Sequence, residues 1–282
     1  SSISTDKSVV VNNPYLFNHE VDPVLPITNQ KSSGRCWLFA TMNLVRLVAY
    51  NNFVKSYNLK IDNLEFSQAY VFFWDKFHRY QQNLEYYIQM LDETNTEEYL
   101  RTFFNDPMGD GGQWDMAKAV VEKYGVVPKE VYPDSLHAAN SKGLNHILTM
   151  QLKNDCLELK SLSAESRRDM KGTMVKRVYK MLVSLLGEPP KPDQNFKWTF
   201  NAKSEGKQKV MTWANETPLS LLKKTSFVPN DWVSVVNDPR KSNPFGLLYK
   251  IKYLGNLEEK GVGWLNLPIE RLKELTRKAI KD

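Results

Sequence analysis

Cysteine is scarce in this 282-residue chain: only Cys36 and Cys156 occur. Two thiols cannot build a disulfide framework, which suits a reducing compartment. Long apolar runs are also missing. No stretch approaches the ~20 apolar residues of a membrane span, and residues 1–11 lack the apolar core of a signal peptide. Glycine never clusters into a phosphate-cradling loop, and no aromatic pattern of the RNA-recognition type occurs. No His, Cys and carboxylate cluster has metal-ligand spacing, so no metal or organic cofactor is expected. The basic excess is small, at +6. It is spread along the chain, which reads as a solvated surface; it permits nucleic-acid binding without indicating it. Hydrophobic content of 41% and charge of 25% are those of a globular protein with a sizeable core.

The informative segment is Gln30-Lys31-Ser32-Ser33-Gly34-Arg35-Cys36-Trp37, followed by a helical pattern from Cys36 to about Tyr50. A cysteine in the first turn of a helix sits where unpaired N–H groups and the helix dipole favour a thiolate. The small-residue loop before it leaves the sulfur approachable. The Gln30 amide can reach back beside that sulfur and donate to an oxyanion formed by attack on a carbonyl. The competing reading of Cys36 is a packed small hydrophobe, the usual fate of a free cysteine. That reading is assigned instead to Cys156, between Leu152 and Leu159 of a helical pattern.

Helical patterns are further expected at Gln68 to about His78, capped by Ser67, at Gln81 to Leu91, and at Thr96 to Phe104. Trp114 to Tyr124 follows, with Gly125 as C-cap. A long helical tract covers Leu136 to Leu186 and ends at Glu188-Pro189-Pro190. Beyond it, Phe196 to Phe200 alternates like a strand and pairs with Gln208 to Trp213 through Ser204-Glu205-Gly206. Thr217-Pro218 starts a helix over 218–224. Trp232 to Val236 and Leu247 to Leu254 read as strands, and Ile269 to Ile280 as a last helix. Val9 to Val11 reads as a short strand and Asn12 to Pro14 as a turn. The expected organisation is an arm (1–25), a helical domain with the nucleophile (26–135), a helical insertion (136–192) and a mixed segment (193–282).

Gln30 with Cys36-Trp37 resembles the active-site segment of papain-like cysteine peptidases. The longer run Thr28 to Trp37 is more specifically similar to the bleomycin hydrolase branch, which includes bacterial C-type aminopeptidases. Glu65 to Lys76, Asp110 to Met116 and Val236 to Arg240 agree with that branch in order. The resemblance implies an α+β papain-like fold in which the helical half and a helical insertion are present and the half-barrel is incomplete. It makes Cys36 the nucleophile, Gln30 the oxyanion donor and Gly111-Gly112 the lining of a cleft that pairs with extended peptide. Asp110 before the glycines reads equally well as a solvated loop carboxylate. Ser33 stands where secreted relatives carry a disulfide cysteine, which points to the cytoplasm. The branch further implies aminopeptidase activity on peptide substrates, with side activity on the bleomycin amide and homocysteine thiolactone. It also implies a homohexamer with a basic channel, and nucleic-acid binding in some members.

The resemblance also requires a histidine roughly 130–150 residues after the cysteine, and an asparagine to orient it. The four histidines are His19, His78, His137 and His146, and none matches. The chain is then expected to be an N-terminal portion whose catalytic His and Asn would follow Asp282. The alternative is a non-catalytic assembly or nucleic-acid-binding remnant of the same fold.

Overall fold

A computed structural model of the chain describes residues 22–93, 97–251, 253–257 and 261–281. The expected strand at Val9 to Val11, the turn at Asn12 to Pro14 and His19 lie outside the described residues. Helix α1 (Cys36–Tyr57) is longer than its apolar pattern indicated and ends at Asn58 in the left-handed conformation. Its buried residues Leu38, Met42, Val45, Ala49 and Phe53 recur every three or four positions, one face of a helix.

The centre of the molecule is α2 (Gln68–Asp92), apolar on nearly every side through its first half. Two helices were expected here, with a gap near Arg79. The chain runs on because no Gly or Pro interrupts it, and Arg79 bonds back to Asp75 one turn earlier at 3.1 Å. After α3 (Glu97–Asn105), α4 (Trp114–Tyr124) stops as expected at Gly125, whose φ is +75° and whose N–H bonds Val121 O.

The long helical tract is three helices: α5 (Leu136–Ala139), α6 (Lys142–Ser161) and α7 (Ala164–Leu186). It breaks at Asn140-Ser141 and again at Leu162-Ser163, where Ser163 accepts a helix-start N–H, while Ser135 caps the first of the three. Leu144, Leu148, Leu152 and Leu159 of α6, and Met174, Val178, Leu182 and Leu186 of α7, are buried, and both helices lie against α2. Apolar residues from Leu38 to Leu257 form one continuous core.

Strands β2 (Phe196–Ser204) and β3 (Lys207–Glu216) form the expected hairpin. Its turn residues Glu205 and Gly206 both have positive φ, at 54° and 75°, which matches the twist of the strands. A short strand not expected from the sequence, β1 (Lys60–Ile61), joins β2 antiparallel. Helix α8 (Pro218–Thr225) opens with a capping box between Thr217 and Ser220. A second sheet has β6 (Val262–Asn266), also not expected, between β4 (Val235–Val236) and β5 (Leu248–Ile251). Both outer strands are shorter than their patterns, because ladder pairing with β6 covers only those residues. Helix α9 (Ile269–Lys281) follows. Among the described residues, no helix is long and apolar enough to cross a membrane.

Candidate active site

The loop before α1 is held by its own side chains. Gln30 Nε2 donates to Ser33 O at 2.7 Å, and Ser33 Oγ donates back to Gln30 O at 2.7 Å. Ser32 N bonds Ala139 O at 2.9 Å, tying the loop to α5. Arg35 is fully buried and bonds Ser33 Oγ at 2.8 Å and Asp134 Oδ1 at 2.8 Å. Its guanidinium lies 5.3 Å from the Phe39 ring centre and 5.4 Å from that of Phe72.

This brace presents Cys36 as the first residue of α1, with its side chain exposed. The thiol lies 4.0 Å from Gly34 O. The helix start carries no side-chain cap, and the first N–H to meet a carbonyl of its own turn is that of Phe39, on Arg35 O at 3.0 Å. The N–H groups of Cys36 to Leu38 therefore remain for an anion at the sulfur. Gln30 is partly buried on the same loop. Only one amide hydrogen is needed for Ser33 O, so the second is available to an oxyanion.

The Gly111-Gly112 segment is tied to the start of α1 by Trp37, whose Nε1 donates to Asp110 O at 2.6 Å. The two glycines differ. A Cβ on Gly112 would lie 2.5 Å from the Trp37 indole, whereas one on Gly111 would meet nothing within 4 Å. Gly112 is there for close packing, and Gly111 leaves its backbone open.

Asp110 is no solvated loop carboxylate: it is only 8% exposed. Its Oδ2 accepts from Gly34 N at 2.8 Å and from Ser141 Oγ. Its Oδ1 accepts from Asn145 Nδ2 at 2.7 Å and faces Lys76 Nζ at 2.9 Å. Burial alone would raise its pKa, but the Lys76 charge and the hydrogen bonds outweigh it and hold it at about 2. Lys76 is fully buried and also donates to Met108 O and Gly109 O, at 2.6 and 3.0 Å. Burial takes its pKa down to about 8, against the pull of Asp110. The run Glu65 to Lys76 thus delivers the lysine that fixes the loop from Met108 to Asp110.

The histidines fall elsewhere. His78 is buried, with Nε2 2.5 Å from Tyr124 Oη. Burial, helped by the Lys123 charge, lowers its pKa to about 3. His137 and His146 line a shallow groove of α5 and α6 with Asn140 and Lys142. Among the described residues, no imidazole is hydrogen-bonded to Cys36. Cys156 is 1% exposed, and burial with the Asp155 charge pushes its thiol far above its ordinary range. Ser67 caps α2 through Tyr70 N at 3.0 Å and donates to Tyr132 O at 2.5 Å, the structural part expected of it. In Val236 to Arg240, Asp238 N bonds the buried Asn266 Oδ1 and Asn237 Nδ2 bonds Leu267 O, each at 2.8 Å, so this motif is a clip onto β6.

Sequence reasoning passed over Arg35, Lys76 and Asp134. The one available signal was charge inside apolar surroundings, as in Phe72-Phe73-Trp74-Asp75-Lys76.

The helical nucleophile half with its small sheets is the α+β architecture of papain-like peptidases. The chain matches the Peptidase C1-like family over residues 1–282 and belongs to that family. It is 35% identical to bleomycin hydrolase of Gallus gallus over 292 aligned positions, covering 99% of this chain and 62% of that protein. It is also 35% identical to aminopeptidase C of Lactobacillus delbrueckii subsp. lactis, over 94% of this chain and 58% of that protein. The crystal structure of PepW from Lactobacillus rhamnosis HN001 superimposes with a TM-score of 0.87 at 32% identity, over 98% of this chain and 60% of that one. The chain spans about three fifths of the length of these relatives.

Proposed function

We propose that this chain supplies the nucleophile and oxyanion side of a cysteine-type aminopeptidase acting on peptides and small amides. The observation that carries the reading is the exposed Cys36 at an uncapped helix start, on a loop that the Gln30 amide braces through Ser33 O, with Trp37 tied to Asp110 just before the open Gly111 backbone. In this mechanism the Cys36 thiolate attacks the scissile carbonyl. Gln30 and the Cys36 N–H bind the oxyanion of the tetrahedral intermediate, whose collapse breaks the C–N bond, releases the amine and leaves a Cys36 thioester that water then hydrolyses. Bleomycin hydrolase and aminopeptidase C among the relatives support an aminopeptidase assignment. Protonation of the leaving amine needs an imidazole, and the described histidines are engaged or placed elsewhere. The reading therefore has residues 1–282 inactive by themselves. It further takes the protein to be a cytoplasmic homo-oligomer, in keeping with two unpaired thiols and with exposed apolar residues such as Val233, Phe245 and Leu248. The test is Cys36→Ala in a preparation that cleaves aminoacyl fluorogenic amides: turnover should vanish. Turnover that survives would refute the assignment.

A further inference from the structure

The peptide unit between Ser33 and Gly34 is gripped at both ends. Its N–H donates to Asp110 Oδ2 at 2.8 Å, and its carbonyl accepts from Gln30 Nε2 at 2.7 Å. Because the unit is planar, holding the N–H also sets the direction of the C=O. A charged acceptor on the N–H further polarises the carbonyl, which strengthens the bond to Gln30.

Asp110 cannot turn away from this task. Ser141, Asn145 and Lys76 occupy its other lone pairs; Ser141 sits just before α6, Asn145 in α6 and Lys76 in α2. The approach depends on glycine, since a Cβ at Gly34 would lie 2.8 Å from the Asp110 Cβ. Trp37 adds a second tie to the Asp110 carbonyl.

We propose that Asp110 is a positioning residue for Gln30, aiming its free amide hydrogen at the oxyanion through the Ser33–Gly34 peptide unit. The proposal rests on the reading of Cys36 and Gln30 as nucleophile and oxyanion donor. Asp110 itself touches no reacting atom. A residue that merely stapled two loops together would damage the site generally; one that acts through Gln30 has no effect once Gln30 is gone.

The test uses the 282-residue chain and two probes of Cys36. The first is an aminoacyl aldehyde. Its addition forms the Sγ–C bond, sends the carbonyl π pair to oxygen and needs no leaving amine. The second is iodoacetamide, which alkylates the sulfur without forming an oxyanion. Gln30→Ala should weaken aldehyde binding by roughly 10²-fold, and Asp110→Asn by roughly 10-fold. The double variant should bind no more weakly than Gln30→Ala alone. Alkylation rates should stay within about threefold throughout. Ser141→Ala, which removes one Asp110 partner, should act like a milder Asp110→Asn and serves if that variant does not fold. If the losses in the double variant multiply, or if alkylation falls in parallel with aldehyde binding, the positioning role is wrong while the oxyanion reading stands. Aldehyde binding insensitive to Gln30→Ala would sink both.

Discussion

The indole of Trp37 lies so close over Gly112 that a Cβ there would come within 2.5 Å of the ring. Trp37 follows Cys36 directly, so this contact sets the distance between Cys36 and the Gly111-Gly112 backbone. Gly111, one residue earlier, has open space on the same test.

The pair gives a sharp comparison. Gly112→Ala should cost about 1–3 kcal/mol by overpacking, and should abolish labelling of Cys36 by peptide-like inhibitors. Gly111→Ala should change stability by less than about 0.5 kcal/mol. Urea denaturation and inhibitor labelling of both variants check this, and equal effects at the two positions would contradict the packing argument.

Mild iodoacetamide should label Cys36 and spare Cys156. Cys36 is exposed at a helix start, whereas Cys156 is buried and its thiol is pushed up by burial. Peptide mapping reads the result, and preferential modification of Cys156 would overturn the nucleophile assignment.

Acid should destabilise the fold in two steps. The folded-state pKa of His78 is depressed from 6.5 to about 3. The unfolded chain therefore takes up a proton first, and stability falls as pH drops from 6.5 towards 3. Asp110 is depressed from 3.8 to about 2, so its contribution is present above 3.8 and is lost as pH falls through 2. The His78 step should be on the order of a few kcal/mol. His78→Gln, which can still bond Tyr124, should flatten the upper step in urea melts taken at successive pH values. An unchanged profile would show that His78 is not the group responsible.

Residues 1–282, purified alone, should show no Cys36-dependent cleavage of aminoacyl amides. Among the described residues no imidazole is hydrogen-bonded to Cys36, so the departing amine has no proton donor. A thiol-blocked sample is the blank. Turnover would mean that His19, His78, His137 or His146 serves as the base, and single His→Ala variants would find which.

Local features were legible in the residues. Cys36 at the helix start, the Gly125 stop, the Thr217-Pro218 helix start and the Glu205-Gly206 turn each involve partners within about six positions. At that range residue type and spacing decide the hydrogen bond. The continuity of α2 was misread because the apolar pattern weakens at Arg79 although nothing breaks the backbone there. The strand β6 escaped notice because its pairing with β4 and β5 is not written in its own short pattern.

The chain's own order of residues determined an exposed cysteine at a helix start and a glutamine on the loop just before it. Tertiary structure alone decided that Asp110 is a buried hub, since its partners Gly34, Lys76, Ser141 and Asn145 lie 31 to 76 positions away. The same carboxylate in water would be an ordinary loop charge. Removed from water and surrounded by four donors, it stays ionised and directs the peptide unit on which Gln30 depends.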